Sequence, residues 1–131
     1  MLYLDANIFI YAALSTEELG EKAGALLQKI QRSEERAKTS ALTFDEVYWS
    51  VKKHDANLAL EVCNALLNFP NLEIVQADRE LALSALRLMK AYKFDPRDAL
   101  HAATAIAEKV DFIVSTDAHF DRIPEIKRKK L

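Results

Sequence analysis

Cysteine, proline and glycine are all scarce in this chain, whose 131 residues hold one Cys, three Pro and two Gly. A lone cysteine, Cys63, has no partner for an intrachain disulfide and no companions for a structural zinc cluster. Two glycines do not furnish the turns of a many-stranded sandwich or barrel, nor a glycine-rich phosphate cradle. Excess charge of one sign is missing as well. The formal net charge of −2 excludes nucleic-acid binding through bulk positive charge and leaves only a local site. No apolar run approaches the ~20 residues that cross a bilayer. The opening MLYLDANIFIYAAL lacks a basic start and carries Asp5 inside its apolar stretch, which argues against a secretory signal and for a cytoplasmic protein without a membrane partner.

What is present is a folding balance of 50% hydrophobic and 29% charged residues, in a length that suits one domain over residues 1–131. Short apolar runs at Met1 to Leu4, Ala37 to Ala41, Leu72 to Val75 and Val110 to Val114 read as buried strands. Between them lie segments of helical period. Leu19, Ala23, Leu26, Leu27 and Ile30 form one stripe, and Phe44, Val47, Tyr48 and Val51 another. Two further stripes are Leu58, Val62, Ala65, Leu66 and Phe69, then Leu81, Ala85, Leu88, Met89 and Tyr92. Strands alternating with helices predict an α/β fold in three layers, a central mostly parallel sheet covered by helices on both faces. Ligands of such sheets collect at the carboxyl ends of the strands.

Acids stand at those places. Asp5 follows the first strand, and Asp117 follows the fourth after a Ser115-Thr116 step. Glu46 and Asp98 lie near the starts of the helices expected around Thr43 and Pro96. Each has a structural explanation: Thr43 and Glu46 have capping-box spacing, and Asp95-Pro96-Arg97-Asp98 reads as a helix start. The segment Arg97 to Lys109 argues for more than capping, because Asp98, His101 and Thr104 set a polar strip on an alanine-rich helix suited to burial. Carboxylates gathered in a cleft raise each other's pKa unless cations neutralise them. All-oxygen ligands favour Mg²⁺ or Mn²⁺. The histidines His54, His101 and His119 read as surface or packing residues, and Arg97 and Arg122 as solvated charges. Tyr48 and Trp49 suggest a packing or partner surface.

Four segments in order, LDANIFIYAAL, TFDEVYWSV, DALHAATAIA and IVSTDAHFDRI, make the chain resemble the PIN domain family, and its length resembles the VapC toxins within it. The resemblance implies a metal-dependent endoribonuclease acting on RNA phosphodiester bonds. Asp5, Glu46, Asp98 and Asp117 match the family's four acids, expected to be catalytic and to hold Mg²⁺ or Mn²⁺. Asn7, Thr116 and Asp121 match flanking positions that orient the acids or contact phosphate. A VapB-like antitoxin and a second copy of the chain are the partners so implied. The alternative is a catalytically inactive PIN-like module that binds RNA or protein. The ending IKRKKL departs from the family pattern, and predicts a last edge strand that is short or absent and a solvated basic tail.

Overall fold

The computed structural model describes residues Met1 to Leu131. Five strands form one all-parallel sheet: β1 (Leu2–Leu4), β2 (Ala37–Ser40), β3 (Leu72–Val75), β4 (Phe112–Val114) and β5 (Arg128–Lys129). Their order is β3-β2-β1-β4-β5. Helices α1 (Ala6–Leu14) and α2 (Glu18–Gln31) join β1 to β2, and α3 (Ala41–Lys52) and α4 (Ala56–Leu67) join β2 to β3. Helices α5 (Arg79–Tyr92) and α6 (Pro96–Ala107) join β3 to β4, and a short 3₁₀ turn, Ala118–Arg122, leads toward β5. No helix is long and apolar enough to cross a membrane.

Alternation along the short strands builds the layers, because successive side chains leave a strand on opposite faces. Leu2, Leu4 and Val114 pack with α1 to α4 around Ile8, Ile30, Val47 and Val51. Tyr3 and Ile113 face the other way, into a second core with Ala99, Ala102, Phe120 and Ile123. Full burial of each large apolar side chain, such as Ile30 or Phe120, contributes about 1.5–3 kcal/mol.

Several boundaries depart from the sequence reading for local reasons. The opening apolar run divides at Asp5, whose extended backbone ends β1 and leads into α1. Helix α3 starts at Ala41, because the Ser40 side chain caps it by accepting from the Leu42 amide at 3.1 Å. Thr43 therefore lies inside the helix with its hydroxyl 2.7 Å from that of Thr39, and the expected capping box does not form. β4 starts at Phe112, two residues late, after a left-handed turn at Lys109 (φ 52°). With glycine so scarce, Ser33, Asn71 and Lys93 also adopt left-handed backbone. Gly20 is needed for a different reason: a Cβ there would sit 2.1 Å from the Ser15 carbonyl oxygen, where α2 passes the end of α1.

The last edge strand is short and present. Ile113 donates its amide to Lys127 O at 2.9 Å, and Ser115 donates to Lys129 O at 3.2 Å. Arg128 is not a solvated tail residue. Its guanidinium reaches both oxygens of Asp121 at 2.9 Å and the Ser115 carbonyl at 3.1 Å, which ties two residues of strand to the loop after β4. Replacing Arg128 with Ala should speed hydrogen exchange of the Ser115 amide roughly tenfold, by local opening of the edge. The central Asp5 amide, bonded to Val114 O at 3.1 Å, should keep its protection. Unchanged protection at Ser115 in mass-spectrometric or NMR exchange would show that Arg128 does not hold the edge.

Candidate active site

The strand order reverses direction between β1 and β4, and a crevice opens at the carboxyl ends of such a pair. β1 delivers Asp5 there, and β4 delivers Ser115, Thr116 and Asp117. Leu4 lies opposite Val114 in the parallel register, so the next residues, Asp5 and Ser115, fall side by side. Ser115 Oγ donates to Asp5 Oδ2 at 2.7 Å and accepts the Asp117 amide at 2.9 Å, so one hydroxyl connects the two acids' segments.

Helices bring the other two acids. Glu46 comes from the second turn of α3 and Asp98 from the first turn of α6, behind Pro96. Asp98 and Asp117 come within 4.8 Å of each other, in a group that includes His119, and Asp5, Glu46 and His101 form a second group of the same compactness. Asp98 also feels the charges of Asp117, Asp5 and Glu46, which makes the two groups one acidic centre. Asp98 lines a cleft of about 550 Å³ together with Leu42, Asp95, Pro96, Arg97 and Leu100. Neither Asp5 nor Asp95 makes a side-chain cap bond, whereas Asp117 caps the 3₁₀ turn through the His119 amide at 2.9 Å.

The residues expected beside the acids are placed differently. Asn7 is half-buried in the first turn of α1. The Thr116 hydroxyl sits 3.3 Å from that of Tyr11, and it is Ser115 that touches Asp5. Asp121 is engaged by Arg128, outside the two acidic groups. Two residues to which the sequence reading gave no role at the site stand at the centre. Ser115 needed the β1–β4 register to be found. His101, read as a surface or packing residue, is fully buried with Nε2 against Glu46 Oε1, and its only signal was its position three residues after Asp98. His119 remains on the surface, with Nδ1 2.9 Å from Asp117 Oδ1. Arg97 is exposed, with Nε 4.0 Å from Glu46 Oε2 at the rim of the cleft.

The sequence pattern of the PIN domain matches residues 2–126. The chain belongs to the PIN domain family. No curated protein matches it at a significant level. Solved structures do. VapBC2 from Rickettsia felis, bound to a DNA fragment from its promoter, superposes with a TM-score of 0.77 at 21% identity, over 99% of this chain and 98% of that one. VapC20 from Mycobacterium tuberculosis, a toxin that cleaves the sarcin-ricin loop, gives 0.78 at 11% identity, over 93% and 94%. DNA-bound VapBC from Salmonella typhimurium gives 0.74 at 20%, over 98% and 96%. At these identities the likeness is one of fold.

Burial, with charge crowding added to it, sets the electrostatics of this PIN domain's acidic centre. Burial pushes the Asp5 carboxyl above its ordinary range; His101 and the Ser115 hydrogen bond pull it back, and Glu46 raises it. Asp98 is raised by burial, then by Asp117 and Asp5. For His101, burial lowers the pKa, but the hydrogen bond and charge of Glu46, with Asp5 and Asp98, outweigh it, and the net shift is upward. All three shifts have the same consequence for metal-free stability. A group with a raised pKa binds more protons folded than unfolded, so its contribution falls as pH rises from the unfolded value to the folded one. For Asp5 and Asp98 that window opens at about 3.8, and for His101 at about 6.5. Thermal melts in chelator should therefore show the midpoint declining as pH rises from about 4 toward about 8, with a shallower decline for Asp98→Asn in the part of the range that opens at the ordinary carboxylate value. A midpoint that climbs over this range would contradict the assigned crowding.

Proposed function

We propose that this PIN domain is an Mg²⁺- or Mn²⁺-dependent endoribonuclease that hydrolyses RNA phosphodiester bonds, and the toxin of a VapBC-type toxin–antitoxin pair. The observation that carries the reading is the convergence of Asp5, Glu46, Asp98 and Asp117 at the switch point of the sheet, from segments spread over the chain. Their donors fit a hard divalent cation: carboxylate oxygens dominate both groups, and burial with the charges of Asp117, Asp5 and Glu46 raises Asp98. Asp5, Asp98 and Asp117 would hold such a cation, with Glu46 at its edge. A divalent ion in that place supplies Lewis-acid polarisation of the phosphoryl oxygen and acidifies a water.

The chain's own residues supply the rest. The Ser115 hydroxyl holds Oδ2 of Asp5 and leaves Oδ1 on the side of His101, 3.9 Å from its Nε2. The helix start at Pro96 holds Asp98 at the cleft wall. Arg97, exposed at the rim, is suited to a phosphate of the RNA backbone. The cleavage of an RNA loop by VapC20 and the VapB partners of the R. felis and S. typhimurium toxins support the same reading by similarity. Large apolar side chains left exposed, Phe44 and Trp49 on α3 and Leu60 and Leu67 on α4, support a protein partner of the VapB kind. Homodimerisation and a cytoplasmic setting complete the proposal.

RNA oligonucleotide cleavage should require Mg²⁺ or Mn²⁺, stop in chelator, and fall by about a hundredfold or more in Asp5→Asn and Asp98→Asn. Stability gives an independent check. In chelator Asp98→Asn should melt at or above the unaltered protein because repulsion is relieved, and millimolar Mn²⁺ should reverse that order by stabilising only the intact site. Cleavage that survives chelation points to another chemistry, and parallel losses of stability in both conditions make these acids caps. Failure to bind Mn²⁺ at all would leave the inactive-module reading.

A further inference from the structure

His101 lies between three elements. Its α6 backbone places the ring, fully buried, between Tyr3 of β1 and Glu46 of α3. Nδ1 is 2.6 Å from the Tyr3 hydroxyl, and Nε2 bonds Glu46 Oε1. Asp5 Oδ1 is 3.9 Å from Nε2, too far for a hydrogen bond. Tyr3 also packs edge-on to the imidazole, with ring centroids 5.7 Å apart at 65°.

Spacing alone would admit His101 as a cation ligand, because Asp5, Glu46 and His101 offer donor atoms within 4.8 Å of one another. Hydrogen-bond chemistry argues otherwise. A ligating imidazole nitrogen needs a free lone pair, but Nε2 faces a carboxylate that only accepts, so that nitrogen carries hydrogen whatever the ring's total charge. Nδ1 is turned away from the acids and occupied by Tyr3. Burial and the carboxylates of Asp5 and Glu46 push the Tyr3 pKa up, which keeps its hydroxyl as a neutral partner. Glu46 is only 12% exposed, and its Oε2 lies 4.0 Å from Nε of Arg97, a residue that lines the cleft.

We propose that His101 is a positioning residue: its Nε2–H holds Oε1 of Glu46 so that only Oε2 is presented to the cleft, and the imidazole does not itself ligate a cation. This rests on the nuclease reading for the identity of the cation, and on the structure alone for the hold on Glu46. Partners that orient a metal-facing side chain in this way typically change metal affinity by about 10–100-fold when removed.

The test uses the full chain, Mn²⁺ as the probe, and His101→Gln and His101→Leu. Gln keeps an N–H donor near the place of Nε2, whereas Leu fills the space without one. In Mn²⁺ titrations the Gln variant should bind within about threefold of the unaltered protein and the Leu variant about tenfold or more weaker, with both folded by circular dichroism. Pulsed EPR of the unaltered Mn²⁺ protein should show no directly bonded imidazole nitrogen. A directly bonded nitrogen that vanishes in His101→Gln makes His101 a ligand and overturns the proposal, as does a folded Leu variant that binds Mn²⁺ as tightly as the original. A metal-free measurement covers failure of the Leu variant to fold or of Mn²⁺ to bind. ¹⁵N-histidine NMR should show a protonated Nε2 whose hydrogen is protected from exchange and loses that protection in Glu46→Ala. An unprotonated Nε2 overturns the proposal. Absent Mn²⁺ binding with a protected Nε2–H overturns the nuclease reading and leaves the hold on Glu46 standing.

Discussion

Mutual repulsion among Asp5, Glu46, Asp98 and Asp117 is the constraint on which the rest of the structure depends. Burial raises Asp5 and Asp98 above their ordinary range, and the like charges beside them raise them further, so the ionised crevice opposes folding. The fold offsets this with specific local partners. Ser115 donates to Asp5, His101 bonds Glu46, and the amide of His119 bonds Asp117. Each partner comes from the same strand exits and helix starts that deliver the acids. The centre is therefore held by hydrogen bonds across elements, and its cost is met by the two cores that flank the sheet.

Topology decides why the acids meet at all. In a parallel sheet every strand ends on the same edge, and the order β3-β2-β1-β4-β5 places the reversal between β1 and β4. Helices leaving these strands diverge to opposite faces and open a gap that backbone does not fill. Alternation along β1 extends the same logic below the crevice. Leu2 and Leu4 face the α1 to α4 layer, while Tyr3 faces α6 and meets His101. A three-residue strand thus supplies a core on one side, a partner for the buried histidine on the other, and a carboxylate at its end.

Periodicity made most of this legible. Helical stripes located α2, α4 and α5 to within a few residues, because a stripe survives wherever a helix packs one face on a core. The strands were readable as short apolar runs, and the acids stood out because they follow them. Legibility failed where a residue's meaning depends on register or on a third element. Thr43 and Glu46 have the spacing of a cap, yet Ser40 starts the helix earlier and turns Glu46 into the crevice. Ser115 and Thr116 are equivalent as a sequence pair, and only the Leu4–Val114 register puts Ser115 beside Asp5. His101 on an alanine-rich helix looks like a packing residue until β1 and α3 are placed against it. Arg128 looks like part of a solvated basic tail, and only the fold brings it to Asp121 and the Ser115 carbonyl.

On the nuclease reading, charge accounting bears on how a polyanionic substrate would reach this centre. The total of −2 includes the four site carboxylates, so the remainder of the molecule is net positive. Part of that remainder lies at the same edge: β5 runs parallel to β4, and the register that pairs Val114 with Lys129 puts Lys130 level with Ser115. Arg97 stands on the cleft rim, too exposed for its 4.0 Å approach to Glu46 to neutralise the centre. Without a cation, an RNA backbone approaching the crevice meets acids first, at distances where salt screens them poorly. One divalent ion brings the whole chain to neutrality and cancels half the charge of the four carboxylates. On the nuclease reading, the same ion that polarises the phosphate is the one that admits it, so binding and chemistry both depend on the constraint that makes the metal-free site costly to fold.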